Sequence, residues 1–203
     1  MQEIDRAEQA YAGCIADIQE SLSTIGLLPN NFEILLIAYK EEDILKLYAK
    51  EKASESYRFL MSFPVLTRSG TLGPKKKEGD KQVPEGQYRI NRFNPKSKYH
   101  LSLGINYPNE YDQAQQYTGS DIFIHGGTET VGCLPIGDPA IEMLYTLASL
   151  AKANGQEEIP VYIFPFVLNA DAIEKLKLEY PIETILRWEQ LAILHSQLQK
   201  QLK

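Results

Sequence analysis

The segment Asp121-Ile122-Phe123-Ile124-His125 ends an apolar run in a histidine, and eight residues later a short glycine-bearing loop closes on Cys133. A thiol and an imidazole at this spacing are the components of cysteine nucleophilic catalysis. An ordinary thiol titrates near pH ~8.5 and is mostly protonated at neutral pH, so a nucleophilic Cys needs a base or a positive neighbour. His125 is the group that can serve. Gly126, Gly127 and Gly132 permit backbone conformations closed to other residues, so amides near Cys133 can turn inward on a developing oxyanion. Gly132, directly before the thiol, suits that role. A His and a Cys so spaced can equally be two core side chains, and these residues alone leave both readings open. Zinc is the weaker chemistry, because Cys14 and His100 are the other obvious soft ligands and no C-x-x-C or H-x-x-x-H spacing is present. We expect neither a metal nor a cofactor.

The elements that must position these residues follow from periodicity. Ile4, Ala7, Tyr11, Ile15, Ile18, Leu22 and Ile25 recur at three-and-four spacing, which predicts an amphipathic helix that Gly26 and Pro29 stop. Cys14 lies beside that stripe and reads as packing. The texture then changes to short apolar runs bounded by turns, at 32–39, 44–49, 57–66, 88–93, 99–107 and 121–125, the strands of one mostly antiparallel sheet. Arg68 to Gly86 has no hydrophobic period and reads as a long surface loop, a lid able to bring Lys or Arg over the site. Asp138-Pro139 looks like an N-cap with proline at the first helical position, opening a helix that runs to Asn154-Gly155. Val161 to Phe166 is a further strand. Asn169 opens a short helix ending before Pro181, and Ile185, Trp188, Leu191, His195, Leu198 and Leu202 form the stripe of a last helix. Trp188 reads as core or a packing face, and His195 as a partly buried surface residue.

These elements imply an α+β fold with a β-rich core and flanking helices. The organisation is a helical segment over 1–30, a catalytic domain over 31–168 and a helical segment over 169–203. With 203 residues, 43% hydrophobic and 24% charged, the chain is sized for one packed domain with decoration. The net charge of −6, and a Lys75-Lys76-Lys77 run met at once by Glu78 and Asp80, argue against nucleic acid as a partner. No stretch approaches the roughly 20 apolar residues of a membrane span. Met1-Gln2-Glu3 opens on a polar helix without the pattern of a signal peptide. Two cysteines are too few for a disulfide framework.

Four separated motifs add a resemblance. Val83-Pro84-Glu85-Gly86-Gln87-Tyr88-Arg89-Ile90, then 94–103, then Tyr107-Pro108-Asn109-Glu110-Tyr111-Asp112, then Ile124-His125-Gly126 with Gly132-Cys133-Leu134-Pro135-Ile136, resemble in order the L,D-transpeptidase catalytic domain of YkuD type. Within it they are similar to the YafK-like branch. The likeness is dense over 83–138, thin over 32–83, and absent from the terminal helices. It implies a compact, β-sandwich-like catalytic core with a loop presenting the Cys, and a thiol that attacks the carbonyl on the L-centre side of an L,D bond in a peptidoglycan stem peptide. A thioester on Cys133 would then be resolved by an amine or by water. Carried over by residue, Cys133 is the nucleophile, His125 the base, and the Gly132 and Cys133 amides the oxyanion hole. From the residues themselves, alternation along 99–103 sets His100 and Ser102 on the face opposite Tyr99, Leu101 and Leu103, which would aim His100 at the site. His100, Tyr107, Asn109, Gly126, Gly127 and Thr130 are taken as the substrate side. Stem peptides as partners imply an envelope or periplasmic location, on the assumption of a signal peptide absent from this chain.

Three departures bear on the acceptor. The His of the Ser/Thr-His-Gly-Cys signature is Val131, the Arg two residues after the Cys is Pro135, and the interval from His125 to Cys133 is short. All three resemble the YafK-like branch, where hydrolysis is an outcome as well as transfer. A catalytically idle wall-binding module with the same fold, and a cytoplasmic thiol hydrolase, are the rival expectations.

Overall fold

The computed structural model describes residues 5–203, so the expected helix start at Ile4 lies outside the described residues. The first helix, α1 (Arg6–Thr24), is capped by the Asp5 carboxylate, which accepts from the Ala7 N–H. It buries Ala10, Cys14, Ile18 and Leu22, one residue per turn along a single face. Gly26 ends it with a φ of +69°, in the left-handed region that glycine enters at little cost.

Eight strands follow: β1 (Phe32–Tyr39), β2 (Ile44–Glu51), β3 (Arg58–Pro64), β4 (Gly86–Asn94), β5 (Ser102–Ile105), β6 (Phe123–His125), β7 (Leu134–Pro135) and β8 (Pro160–Phe164). They join one curled sheet in the order β3-β2-β1-β8-β4-β5-β6-β7. The sheet is mainly antiparallel, but β1 pairs with β8 and β6 with β7 in parallel. Helices α2 (Glu110–Ala114), α3 (Asp138–Ala153), α4 (Ala170–Leu176) and α5 (Ile182–Gln199) complete the fold. Among the described residues no helix is long and apolar enough to cross a membrane.

Strand β1 explains the two-sided architecture. Ile34, Leu36 and Ala38 enter a core shared with Cys14, Leu22, Ile141 and Leu144 of α1 and α3. Leu35, Ile37 and Tyr39 enter a second core with Ile185, Trp188 and Leu191 of α5. Alternate side chains leave a strand on opposite faces, so a strand covered on both sides reads as one unbroken apolar run. Trp188 is fully buried against Phe166 and Tyr180. His195 is also buried, at hydrogen-bond distance of the Tyr39 hydroxyl, and is a core residue rather than the surface one expected.

Three boundary expectations are corrected. Tyr99 to Leu101 do not extend β5: His100 has a φ of +69° and the chain bends there. Gly137, not Asp138, is the N-cap of α3, and Pro139 is the second helical residue. The segment from Arg68 to Gly86 lacks regular structure, as expected, but it is no free surface loop. Lys40 of the β1–β2 turn donates to the Gly73 and Val83 carbonyls and to Glu85 Oε1 at 2.8–3.0 Å. The Trp188 indole N–H and the Gly73 N–H also donate to the Glu85 carboxylate. A buried ion pair thus ties this segment to the sheet and to α5.

Candidate active site

In the β6–β7 ladder Ile124 stands opposite Leu134 and His125 opposite Pro135. Carried one residue back, that register sets Cys133 beside Phe123, whose N–H donates to the Cys133 Sγ at 3.4 Å. The thiol donates in turn to the Asp121 carbonyl at 3.6 Å. Phe123 and His125 lie two apart on one strand, so their side chains leave the same face of it.

His125 Nδ1 lies 2.6 Å from the Gly126 carbonyl oxygen. A carbonyl only accepts, so Nδ1 carries the proton and Nε2 is left as the lone-pair nitrogen. Burial holds the imidazole below its usual pKa, against the opposing effect of the Gly126 carbonyl. The Tyr99 ring covers it, with centroids 4.6 Å apart. Burial also pushes the Cys133 thiol up, outweighing the Phe123 N–H and the Lys75 charge that favour thiolate. The resting pair is therefore neutral thiol and neutral imidazole, and among the described residues no hydrogen bond joins them. A thiol poised below 8.5 is not what these surroundings produce. The arrangement can deprotonate the thiol during attack rather than store a thiolate.

The amides near Cys133 are already engaged. Thr130 Oγ1 accepts from the Cys133 N–H at 3.0 Å and donates to the Cys133 carbonyl at 2.8 Å, pinning the loop at Cys133. The Gly132 N–H donates to Ser69 Oγ at 2.7 Å. Gly132 has a φ of +88°, and a Cβ there would lie 2.9 Å from the Gln82 carbonyl. The anchored 68–86 segment therefore crosses the Cys133 loop, and an incoming oxyanion at Gly132 must take the place of the Ser69 hydroxyl. Lys75 from the same segment is buried and paired with Asp80 at 2.8 Å. It contributes a positive field to the thiol rather than a free ammonium group.

The other expected site residues are placed as follows. Gly126 and Gly127 form the turn beyond His125, and a Cβ on Gly126 would lie 2.5 Å from Asp138 Oδ1 and 2.6 Å from the Tyr99 carbonyl. His100 is behind this turn, with Nε2 2.6 Å from Glu142 Oε1, so the strand alternation that would aim it at the site does not apply. The Tyr107 hydroxyl is directed at the Lys75 and Thr118 carbonyls. Asn109 caps α2 and donates to the Gln87 carbonyl. It lines a separate open groove of about 820 Å³ between β4, β8 and α5, and among the described residues neither it nor Tyr107 hydrogen-bonds to Cys133. Among the described residues no group of three His, Cys, Asp or Glu side chains is gathered to hold a metal ion. Tyr99, Ser69 and Asp138 border the site although sequence reasoning gave them no role there.

The curled sheet with its flanking helices is the fold of an L,D-transpeptidase catalytic domain. The family model for that domain, YkuD, matches residues 34–163, and the chain belongs to this family. Among its relatives is the inferred L,D-transpeptidase YafK of Escherichia coli K12, 37% identical over 130 residues, which are 63% of this chain and 52% of that protein. The chain thus spans about half the length of the curated relatives it matches. The fold is similar to that of the helical cell shape determining protein Pgp2 from Campylobacter jejuni. That likeness has a TM-score of 0.51 at 24% identity and covers 72% of this chain and 55% of the other.

Proposed function

We propose that this domain cleaves an L,D peptide bond of a peptidoglycan stem peptide through a thioester on Cys133, with His125 as base. The observation that carries the reading is the His125 tautomer. Its Nδ1–H is held by the Gly126 carbonyl, which leaves Nε2 as the lone-pair nitrogen able to take a thiol proton. The Cys133 thiol proton passes to His125 Nε2 as sulfur bonds to the carbonyl carbon on the L-centre side. The scissile C–N bond then breaks, and the imidazolium returns that proton to the leaving amine. Water or a second amine then attacks the thioester carbonyl as Nε2 takes its proton, the C–S bond breaks, and the imidazolium returns that proton to the Cys133 thiolate. Family membership and the relatedness to YafK support this substrate class, and an envelope location goes with it.

Hydrolysis is the favoured outcome. Val131, where the family signature has a His, is 66% exposed and has no group to hold an amine. Pro135, where an Arg is common, is buried in the β6–β7 ladder. A tetrapeptide muropeptide is therefore expected to yield tripeptide and free D-alanine, with little incorporation of D-methionine supplied in excess. Mass analysis showing mostly exchanged tetrapeptide would reverse the order and make transfer the main reaction. The engaged Gly132 and Cys133 amides favour a second reading, an idle wall-binding module, which the same incubation supports if no bond is cleaved.

The base assignment fixes a pH dependence. The imidazole acts as base only when neutral, and burial lowers its pKa from the usual 6.5. The acid limb of kcat/KM is therefore expected below pH 6.5, with activity present above the limb and lost as pH falls through the lowered pKa. His125→Gln is expected to cost about 10²- to 10⁴-fold in kcat and to remove that limb. A His125→Gln enzyme with an unchanged limb would assign the base elsewhere.

A further inference from the structure

We propose that Asp138 is a positioning residue for His125, acting through the single peptide unit that joins Gly126 to Gly127. This rests on the reading of His125 as base. The carbonyl of that unit accepts from His125 Nδ1 at 2.6 Å, and its N–H donates to Asp138 Oδ1 at 2.8 Å. The peptide group is planar and trans, so its C=O and N–H point in opposite directions and fixing one fixes the other. The Asp138 carboxylate thereby sets the direction of the carbonyl that holds the imidazole. Hydrogen bonding at the N–H also polarises the unit and makes its oxygen the stronger acceptor.

Three further features isolate this role. Gly137 caps α3 without a side-chain hydrogen bond, and the Asp138 carboxylate reaches back to the turn instead of closing its own helix. The turn has no slack, because a Cβ on Gly126 would meet Asp138 Oδ1 on one side and the Tyr99 carbonyl on the other. Gly127 has a φ of +66°, which aims its N–H at the carboxylate in a conformation that side-chain-bearing residues seldom adopt. The clamp therefore runs from the first turn of α3, through one peptide, to the imidazole. Tyr99 holds the ring from its face.

The test compares Asp138→Ala, which removes the acceptor, with Asp138→Asn, which removes the charge but keeps an oxygen at the same reach. With the muropeptide substrate, Asp138→Ala is expected to lower kcat about 10- to 100-fold, as for a sub-ångström to ångström misplacement of a catalytic group. KM should stay within about 3-fold, and Asp138→Asn should recover most of the loss. A second readout needs no substrate. The His125 Nδ1 proton, identified by its disappearance in His125→Gln, should give a downfield imidazole resonance in the wild type and in Asp138→Asn. In Asp138→Ala it should be shifted or lost to exchange. Circular dichroism and Tm confirm folding, and Asp138→Gln, whose longer amide overshoots the Gly127 N–H, replaces Asp138→Ala if that variant unfolds. An unchanged resonance in Asp138→Ala overturns the proposal, as does equal damage in the Asn and Ala variants. If the wild type cleaves no muropeptide, the proposed function fails, and the resonance alone still decides the role of Asp138.

Discussion

Cys133→Ala is expected to abolish cleavage of muropeptides while leaving the fold in place. Removing the nucleophile removes the only atom able to form the thioester, and comparable deletions in acyl-transfer enzymes cost on the order of a million-fold in kcat. The structural cost is small. Thr130 holds the Cys133 N–H and carbonyl, both of which alanine keeps. Only the weak thiol contacts to Phe123 and Asp121 are lost, so stability should change by about 1 kcal/mol or less. Cys14 is the control. It is buried between α1 and α3, and burial, followed by the charges of Glu142 and Asp17, pushes its thiol up. Since Cys133 is also pushed up, a small electrophile should distinguish the two by access, labelling Cys133 first, and Cys14→Ala should keep full turnover. Turnover in Cys133→Ala within about 10-fold of wild type would remove the thiol from the mechanism.

The parts of this site that were legible in the sequence are those set by neighbouring residues. The apolar run ending at His125 and the glycines before Cys133 are local features, and the ladder of β6 and β7 joins the two segments. The run Phe32 to Tyr39 marked β1 because both its faces are covered. What escaped depends on residues far apart in the chain. Strand β7 is two residues long and exists only through its pairing with β6, so it has no periodicity to detect. His100 sits in an apolar run that alternation makes a strand. Arg6 from α1 binds its carbonyl and Glu142 from α3 its ring, and the chain turns there instead. Asp138 before proline has the composition of a cap, yet its carboxylate serves a turn 11 residues upstream. Residue type and spacing offered His125 with Cys133 as a candidate pair and resemblance to the family gave them roles, whereas Tyr99, Ser69 and Asp138 are found through contacts alone. The C-terminal helix carried no motif, although Trp188 on it reaches Glu85 beside the Cys133 loop.

Glu85→Ala is expected to be among the most destabilising single substitutions outside the apolar cores. Its side chain and that of Lys40 are 0% and 1% exposed, and their 2.8 Å contact is supplemented by donors from Gly73 and Trp188. Removing the carboxylate leaves the Lys40 ammonium buried against two carbonyls and orphans the Gly73 and Trp188 N–H groups. Breaking a buried pair from one side costs about 3–5 kcal/mol. At about 2–4 °C per kcal/mol for a chain of this size, Tm should fall by roughly 6–20 °C. Burial already lowers the Lys40 pKa with Glu85 opposing it, so without Glu85 the lysine is driven further toward its neutral form, which limits the cost. Replacing both partners, as in Lys40→Met with Glu85→Leu, removes the unpaired charge but not the two orphaned N–H groups. The double variant should lie between wild type and Glu85→Ala in stability. The segment from Arg68 to Gly86 should loosen in both, and with it the Ser69 hydroxyl on Gly132 and the Gln82 carbonyl against the Cys133 loop. Labelling of Cys133 should then accelerate at temperatures well below Tm, where the sheet is still intact. Denaturant unfolding that places Glu85→Ala within 1 kcal/mol of wild type, or unchanged labelling, would mean that the segment is held by something other than this pair.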